Sequence, residues 1–113
     1  MNDEQMLCFQ KLDMYVVAKE LAVRVHRAKI KDAELRDNAE RASKSAFLQV
    51  SEGLPHDSIP MRRKYFTCAR ASAAEVAGAT DLAFALDAID EDAAMEILAL
   101  AKRLHMMLRG AMR

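Results

Sequence analysis

Between Leu54 and Phe66 the chain reads LPHDSIPMRRKYF, and two kinds of chemistry are spelled there. His56, Asp57 and Ser58 are the residue types of a hydrolase triad: a hydroxyl to attack, an imidazole to take its proton, a carboxylate to orient the imidazole. Arg62, Arg63 and Lys64 follow at once, and adjacent cations are the raw material of a phosphate-binding patch. The triad reading fails on spacing. The base has to reach the nucleophile from one side while the third group orients it from the other, and consecutive residues on a short turn point their side chains apart. Capping explains the same run better. Asp57 or Ser58 accepts from an N–H of a following helix, and Pro60 falls in the first turn, where its missing N–H costs nothing. No catalytic residue is expected, and the protein is expected not to be an enzyme.

Metal chemistry has little to work with. A di-iron bundle needs inward Glu residues and Glu-x-x-His pairs on two helices, and no Glu-x-x-His occurs. Glu52 and His56 are four apart, but Gly53 and Pro55 lie between them and break the helix. His26 and His105 stand alone. Cys8 and Cys68 lack metal-ligand spacing and are too few for a disulfide framework. No glycine-rich phosphate loop is present. No metal and no cofactor is expected, and the unpaired thiols suit a reducing, cytoplasmic setting.

The elements that must position the cations are legible from composition and period. At 113 residues, 52% apolar and 30% charged, the chain is long enough for one domain with its own core. The 17 basic and 17 acidic residues cancel, so a nucleic acid could be held only by a local patch. The opening stretch MNDEQM is acidic and polar, unlike a secretory signal, and no apolar run approaches the roughly 18 residues of a membrane span. Glycine occurs at 3 positions and proline at 2, while alanine is abundant and strict apolar alternation is absent, which favours helix and predicts no sheet.

Helices are expected over about residues 6–28, 33–52, 59–86 and 91–111. The first carries Met14, Val17, Ala18, Leu21 and Val25 on one stripe, and the second Leu35, Ala39, Ala42, Ala46 and Val50. Gly53 and Pro55 form a stop, with Gly53 expected in the left-handed conformation that ends a helix. On the third helix Tyr65, Cys68, Ala69, Ser72, Val76, Ala79, Ala83 and Leu86 share a face. Ala94, Ile97, Leu98, Ala101, Leu104, Leu108 and Ala111 complete the fourth. Asp32 and Asp90 are expected N-caps. Similar lengths and short turns predict an all-α, antiparallel, up-down-up-down four-helix bundle.

That topology segregates charge. The starts of the first and third helices and the ends of the second and fourth share one pole, which collects Lys11, Lys44, Arg62, Arg63, Lys64, Arg70, Arg103, Arg109 and Arg113. Asp3, Glu4, Asp13, Glu52 and Asp57 oppose them there. The other pole collects Asp32, Glu34, Asp37, Asp81, Asp87, Asp90, Glu91, Asp92 and Glu96, against fewer bases such as Lys29 and Lys31. The basic pole is a candidate site for RNA or another polyanion, with Arg62, Arg63, Lys64 and Arg109 as contacts and Tyr65 and Phe66 beside them to stack on bases. Phe47, Leu48 and Phe84 lie off the core stripes and are the candidate self-association surface. Met106, Met107 and Met112 add an adaptable apolar surface near the chain end. A protein-binding adaptor without a nucleic-acid role is the alternative reading.

Three motifs add a family. Phe9, Lys11, Leu12, Tyr15, Ala18 and Leu21 follow a Phe-x-(Lys/Glu)-Leu opening with an aromatic and spaced Ala and Leu, Tyr15 standing where tryptophan is usual. RASKSAFLQVSEG, residues 41–53, follows Arg-Ala-Ala-x-Ser-(Ile/Val)-Pro-x-Asn-Ile-Ala-Glu-Gly at Arg41, Ala42, Ser45, Val50, Glu52 and Gly53. CARASAAEV, residues 68–76, follows Ile-Ala-x-Gly-Ser-x-x-Glu-Leu at Ala69, Ser72, Glu75 and Val76. In these motifs the chain resembles the bacterial 23S ribosomal RNA intervening-sequence proteins over nearly its whole length. Phe47, Gln49 and Ala71 depart from the usual proline, asparagine and glycine. The resemblance implies a cytoplasmic helical bundle without enzymatic activity that assembles as a ring-like homo-oligomer, a pentamer. The family name records where some of its genes lie, inside ribosomal RNA insertions.

Overall fold

The computed structural model describes residues 2–112; Arg113, counted above in the basic pole, lies outside them. Four helices account for most of the chain: α1 (Asp13–Ala28), α2 (Ala33–Gly53), α3 (Ile59–Ala85) and α4 (Glu91–Ala111). Among the described residues there is no strand, and no helix is long and apolar enough to cross a membrane. Each helix packs on the next and α4 returns to α1, closing a four-membered bundle. Its longest dimension is 43 Å, close to the length of α3 at 1.5 Å per residue.

Side-chain contacts give the directions. Ser45 and Ser72 share a hydrogen bond of 3.1 Å, and Arg41 faces Glu75 at 3.8 Å, so stepping up α2 steps down α3. Arg24 near the end of α1 bonds Glu96 near the start of α4 at 3.0 Å. The Thr67 hydroxyl at the start of α3 donates to Met112 Sδ, just past the end of α4, at 3.5 Å. The bundle is therefore all-α with sequential helices running antiparallel.

The ends obey local chemistry. The carboxylates of Asp32 and Asp90 accept from the N–H groups of Leu35 and Ala93 at 3.0 and 3.3 Å. The Ser58 hydroxyl accepts from Met61 at 3.5 Å, with Pro60 in the first turn of α3. Such caps contribute about 1 kcal/mol each. α3 closes with Asp87 at φ 58, the Asp87 N–H on Phe84 O at 3.1 Å and the Ala88 N–H on Ala83 O at 2.8 Å. That is the paired-bond ending usually built on glycine, and aspartate is among the few side chains that tolerate the left-handed region. A bond from the Lys31 N–H to Ala88 O at 2.8 Å ties the α1–α2 turn to the α3–α4 turn. Buried Ile30, Ala88 and Ile89 plug the core beneath it.

Three expectations need correction. The first helix does not begin near residue 6. Short 3-10 turns at Asp3–Gln5 and Cys8–Lys11 precede α1, and Leu12 is extended at φ −72, ψ 145. The aromatic rings give the reason. Phe9 and Tyr15, six residues apart, would sit about 120° apart on one continuous helix; the break at Leu12 folds Phe9 back edge-on against Tyr15, with centroids 5.7 Å apart.

The phase of α3 also differs. Phe66, Ala69, Ala73, Val76, Ala79, Thr80 and Ala83 are buried, whereas Tyr65 is half-buried and Cys68 and Leu86 are exposed. Alanine on every side of α3 leaves its hydrophobic pattern almost without direction, and the large apolar Phe66 ring takes the interior in preference to the hydroxylated Tyr65. Thr80 is fully buried with its hydroxyl unpartnered among the described residues.

Gly53 is the third correction. It is helical, and among the described residues no glycine has positive φ. What requires glycine is proximity: a Cβ there would lie 2.7 Å from Phe66 Cε1 and 3.0 Å from Tyr65 Cβ. Gly53→Ala should therefore destabilise the fold by about 1–2 kcal/mol, because overpacking against a buried ring outweighs the helix propensity gained. Gly78→Ala, in a helix interior with nothing within 4 Å of the new methyl, should stabilise it by about 0.5–1 kcal/mol. Paired urea titrations of the two variants check both signs.

Candidate nucleic-acid interface

The antiparallel directions bring the start of α3 beside the end of α4, and four cations gather there. Ser58 starts α3, so Arg62, Arg63 and Lys64 occupy its first two turns, and Arg109 lies in the last turn of α4. All four are exposed. Consecutive helical positions lie about 100° apart, so the three neighbours fan out and take different surroundings. The Arg62 guanidinium donates to Leu54 O at 2.9 Å, which satisfies a carbonyl where α2 ends and fixes the side chain. Arg62 and Arg63 together edge a groove of about 260 Å³ whose other walls are Ile59, Phe66, Ala111 and Met112. Lys64 turns the other way, its Nζ 5.8 Å from the centroid of the Tyr65 ring.

The cations of this end stand close together, three of them consecutive in sequence. Among the described residues none of Arg62, Arg63, Lys64 and Arg109 takes part in an ion pair, although Asp13, Glu52 and Asp57 are exposed on the same end. Among the described residues the cations that do take part in ion pairs are Arg24 and Arg41. Arg24 meets Glu20 at 2.7 Å and Glu96 at 3.0 Å. The hydrogen bond to Glu20, and then the attraction of both carboxylates, hold its guanidinium above the ordinary arginine value. Arg41 faces Glu75, and the Arg36 guanidinium donates to Ile30 O.

His56, Asp57 and Ser58 form no triad. The imidazole of His56 stacks on Tyr65, centroids 5.3 Å apart and planes within 14°, while the Ser58 hydroxyl is the helix cap. The stack pins the α2–α3 turn to the flank of α3. It also gives Tyr65 a partner already, and Phe66, expected to be available for stacking on bases, is 3% exposed and belongs to the core. Among the described residues no three His, Cys, Asp or Glu side chains come together as a metal site.

The proposed self-association residues do not form one surface. Phe47 is half-buried, its ring 5.0 Å from Tyr15, and joins Phe9 and Tyr15 in an aromatic group at the basic end. Leu48 is 56% exposed and Phe84 41%. With Ser45 opposite Ser72, Leu48 and Phe84 are separated by roughly 20 Å along the bundle axis at 1.5 Å per residue. Leu82 and Leu86, also exposed, accompany Phe84 at the acidic end. Sequence reading missed Ile59 and Ala111 as groove walls. Residues from separate helices carry no mutual spacing signal, and the exposed Ile59 beside Pro60 was the one available hint.

The motif residues cluster on a different feature, the seam between α2 and α3. Arg41 faces Glu75, Ser45 bonds Ser72, and Gly53 accepts the Phe66 ring. The two motifs are halves of one helix-packing code, which explains why they sit in matching positions on neighbouring helices. A search of curated proteins finds no match to the chain. A family model described as 23S rRNA-intervening sequence protein matches residues 10–110, a span that takes in α1 to α3 and all but the final residue of α4. With both halves of the seam and nearly the whole bundle inside that match, the chain belongs to the 23S rRNA-intervening sequence protein family.

Proposed function

We propose that the protein is a non-enzymatic, self-associating helical bundle of the cytoplasm whose basic end binds RNA or another polyanion. One observation carries the reading: Arg62, Arg63, Lys64 and Arg109 are all exposed where the start of α3 lies beside the end of α4, and among the described residues none of them takes part in an ion pair. Unmatched cations on an otherwise neutral chain are a local positive field, and phosphate is the anion they suit. The ring-like pentamer that the resemblance implies would set several such ends side by side, and linked weak sites gain from effective concentration. RNA affinity measured across salt concentration tests the reading. Steep weakening with salt supports it; no binding at low salt contradicts it.

The adaptor reading draws on exposed Leu82, Phe84 and Leu86 at the opposite end. Leu82 and Leu86, one turn apart on the same side of the end of α3, favour a protein contact there, and such a contact is compatible with a basic end that binds RNA.

A further inference from the structure

We infer that the groove between the first turns of α3 and the last turn of α4 is a subsite for one unstacked nucleobase, which makes the preferred ligand single-stranded rather than duplex RNA. The inference rests on the polyanion reading of the basic end and deepens it. The groove has two chemistries in one place. Ile59, Ala111 and Met112 give it apolar walls above the buried edge of Phe66, Arg62 and Arg63 stand on its rim, and among the described residues no carboxylate lines it. An apolar ring carrying a phosphate matches that arrangement, the ring between the apolar walls and the phosphate on the guanidinium groups.

Size and accessibility narrow the ligand. At about 260 Å³ the groove lies just below the roughly 300–1,000 Å³ of pockets for drug-sized molecules, a size that suits a single ring system. In an A-form duplex the bases are stacked and paired, and their edges lie in grooves that side chains read poorly; unpaired bases can splay out into a protein surface. Arg62 is held ready for the adjoining phosphate. Its bond to Leu54 O at 2.9 Å uses one N–H and fixes the plane of the guanidinium, and the remaining donors suit phosphate oxygens. The groove between α1 and α4 offers no such site, because its Arg24 is already engaged by Glu20 and Glu96.

The test is fluorescence anisotropy on the full chain at one low salt concentration. The probes are a short single-stranded oligoribonucleotide, a hairpin duplex with the same number of phosphates, and heparin, a polyanion without bases. The single strand is expected to bind about tenfold more tightly than the duplex, a modest value for one base held on a protein surface. Ala111→Leu should fill the groove and remove that preference while leaving heparin binding unchanged. Ala111 is exposed, so the fold should tolerate the change, and a thermal melt confirms it. Ile59→Ser, at a position 64% exposed, removes an apolar wall and should act the same way. Equal binding of single strand and duplex by the native protein, or an undiminished preference in both variants, overturns the subsite and leaves polyanion binding standing. Failure of all three probes to bind overturns the polyanion reading, and the subsite falls with it.

Discussion

Leu104→Ala is expected to destabilise the bundle by about 3–5 kcal/mol, the upper part of the range for removing a large aliphatic side chain from a core. Leu104 is fully buried, in one cluster with Leu21, Val76, Ile97 and Leu108. Much of that cluster is alanine: Ala18, Ala39, Ala42, Ala46, Ala69, Ala73 and Ala101 are all at most 2% exposed. Alanine has no rotamer with which to fill a void, so the cavity should persist and the loss should exceed the transfer energy of the deleted atoms. Domains of this kind have about 5–15 kcal/mol in total, so the variant should unfold at a much lower urea concentration with an unchanged slope. A loss below about 1 kcal/mol would place Leu104 outside a close-packed core. Leu48→Ala is the contrast. At 56% exposed it should shift stability by no more than about 0.5 kcal/mol. If Leu48 belongs to a contact between copies, light scattering should show a fall in mass for the same variant.

Reversing two charges at the basic end should have the largest effect on binding. Arg63→Glu with Lys64→Glu is expected to weaken RNA binding at low salt on the order of a hundredfold, because two phosphate contacts are replaced by repulsion. Both side chains are exposed and, among the described residues, outside any ion pair, so the melting temperature should hardly move. Arg62 is the wrong residue for this test. Its guanidinium bonds Leu54 O where α2 ends, and Arg62→Ala should cost about 1 kcal/mol of stability as well as a cation. An unchanged RNA affinity in the double variant would remove Arg63 and Lys64 from the interface.

What the sequence disclosed about this molecule divides along physical lines. The caps at Asp32, Ser58 and Asp90 were legible because capping is decided within four residues. The helices themselves were legible because Met14, Val17, Leu21 and Val25, or Ile97, Leu104 and Leu108, repeat with the helical period. The start of α1 was not, since it depends on Phe9 meeting Tyr15 and Tyr15 meeting Phe47 across the bundle. Nor was the phase of α3, where alanine on all sides gives burial no preferred face until Phe66 and Gly53 lock together. Gly53 read as a turn residue because glycine commonly ends helices; its actual constraint is a neighbour on another helix. The cations were legible as Arg62, Arg63 and Lys64 in a row. Their different fates were not, because Leu54 O, the groove walls and the Tyr65 ring come from separate parts of the fold.

The central claim is that the basic end binds a polyanion through phosphate contacts. The most direct measurement is the affinity of the native protein for a single-stranded RNA as a function of salt, beside the Arg63→Glu, Lys64→Glu variant. Each phosphate contact on a single strand contributes about −0.7 to the slope of log K against log salt. The native protein should therefore show a straight line with a slope of about −2 or steeper, and the variant a shallower one by at least about 1. A flat line for the native protein, or no binding even at low salt, would contradict the account.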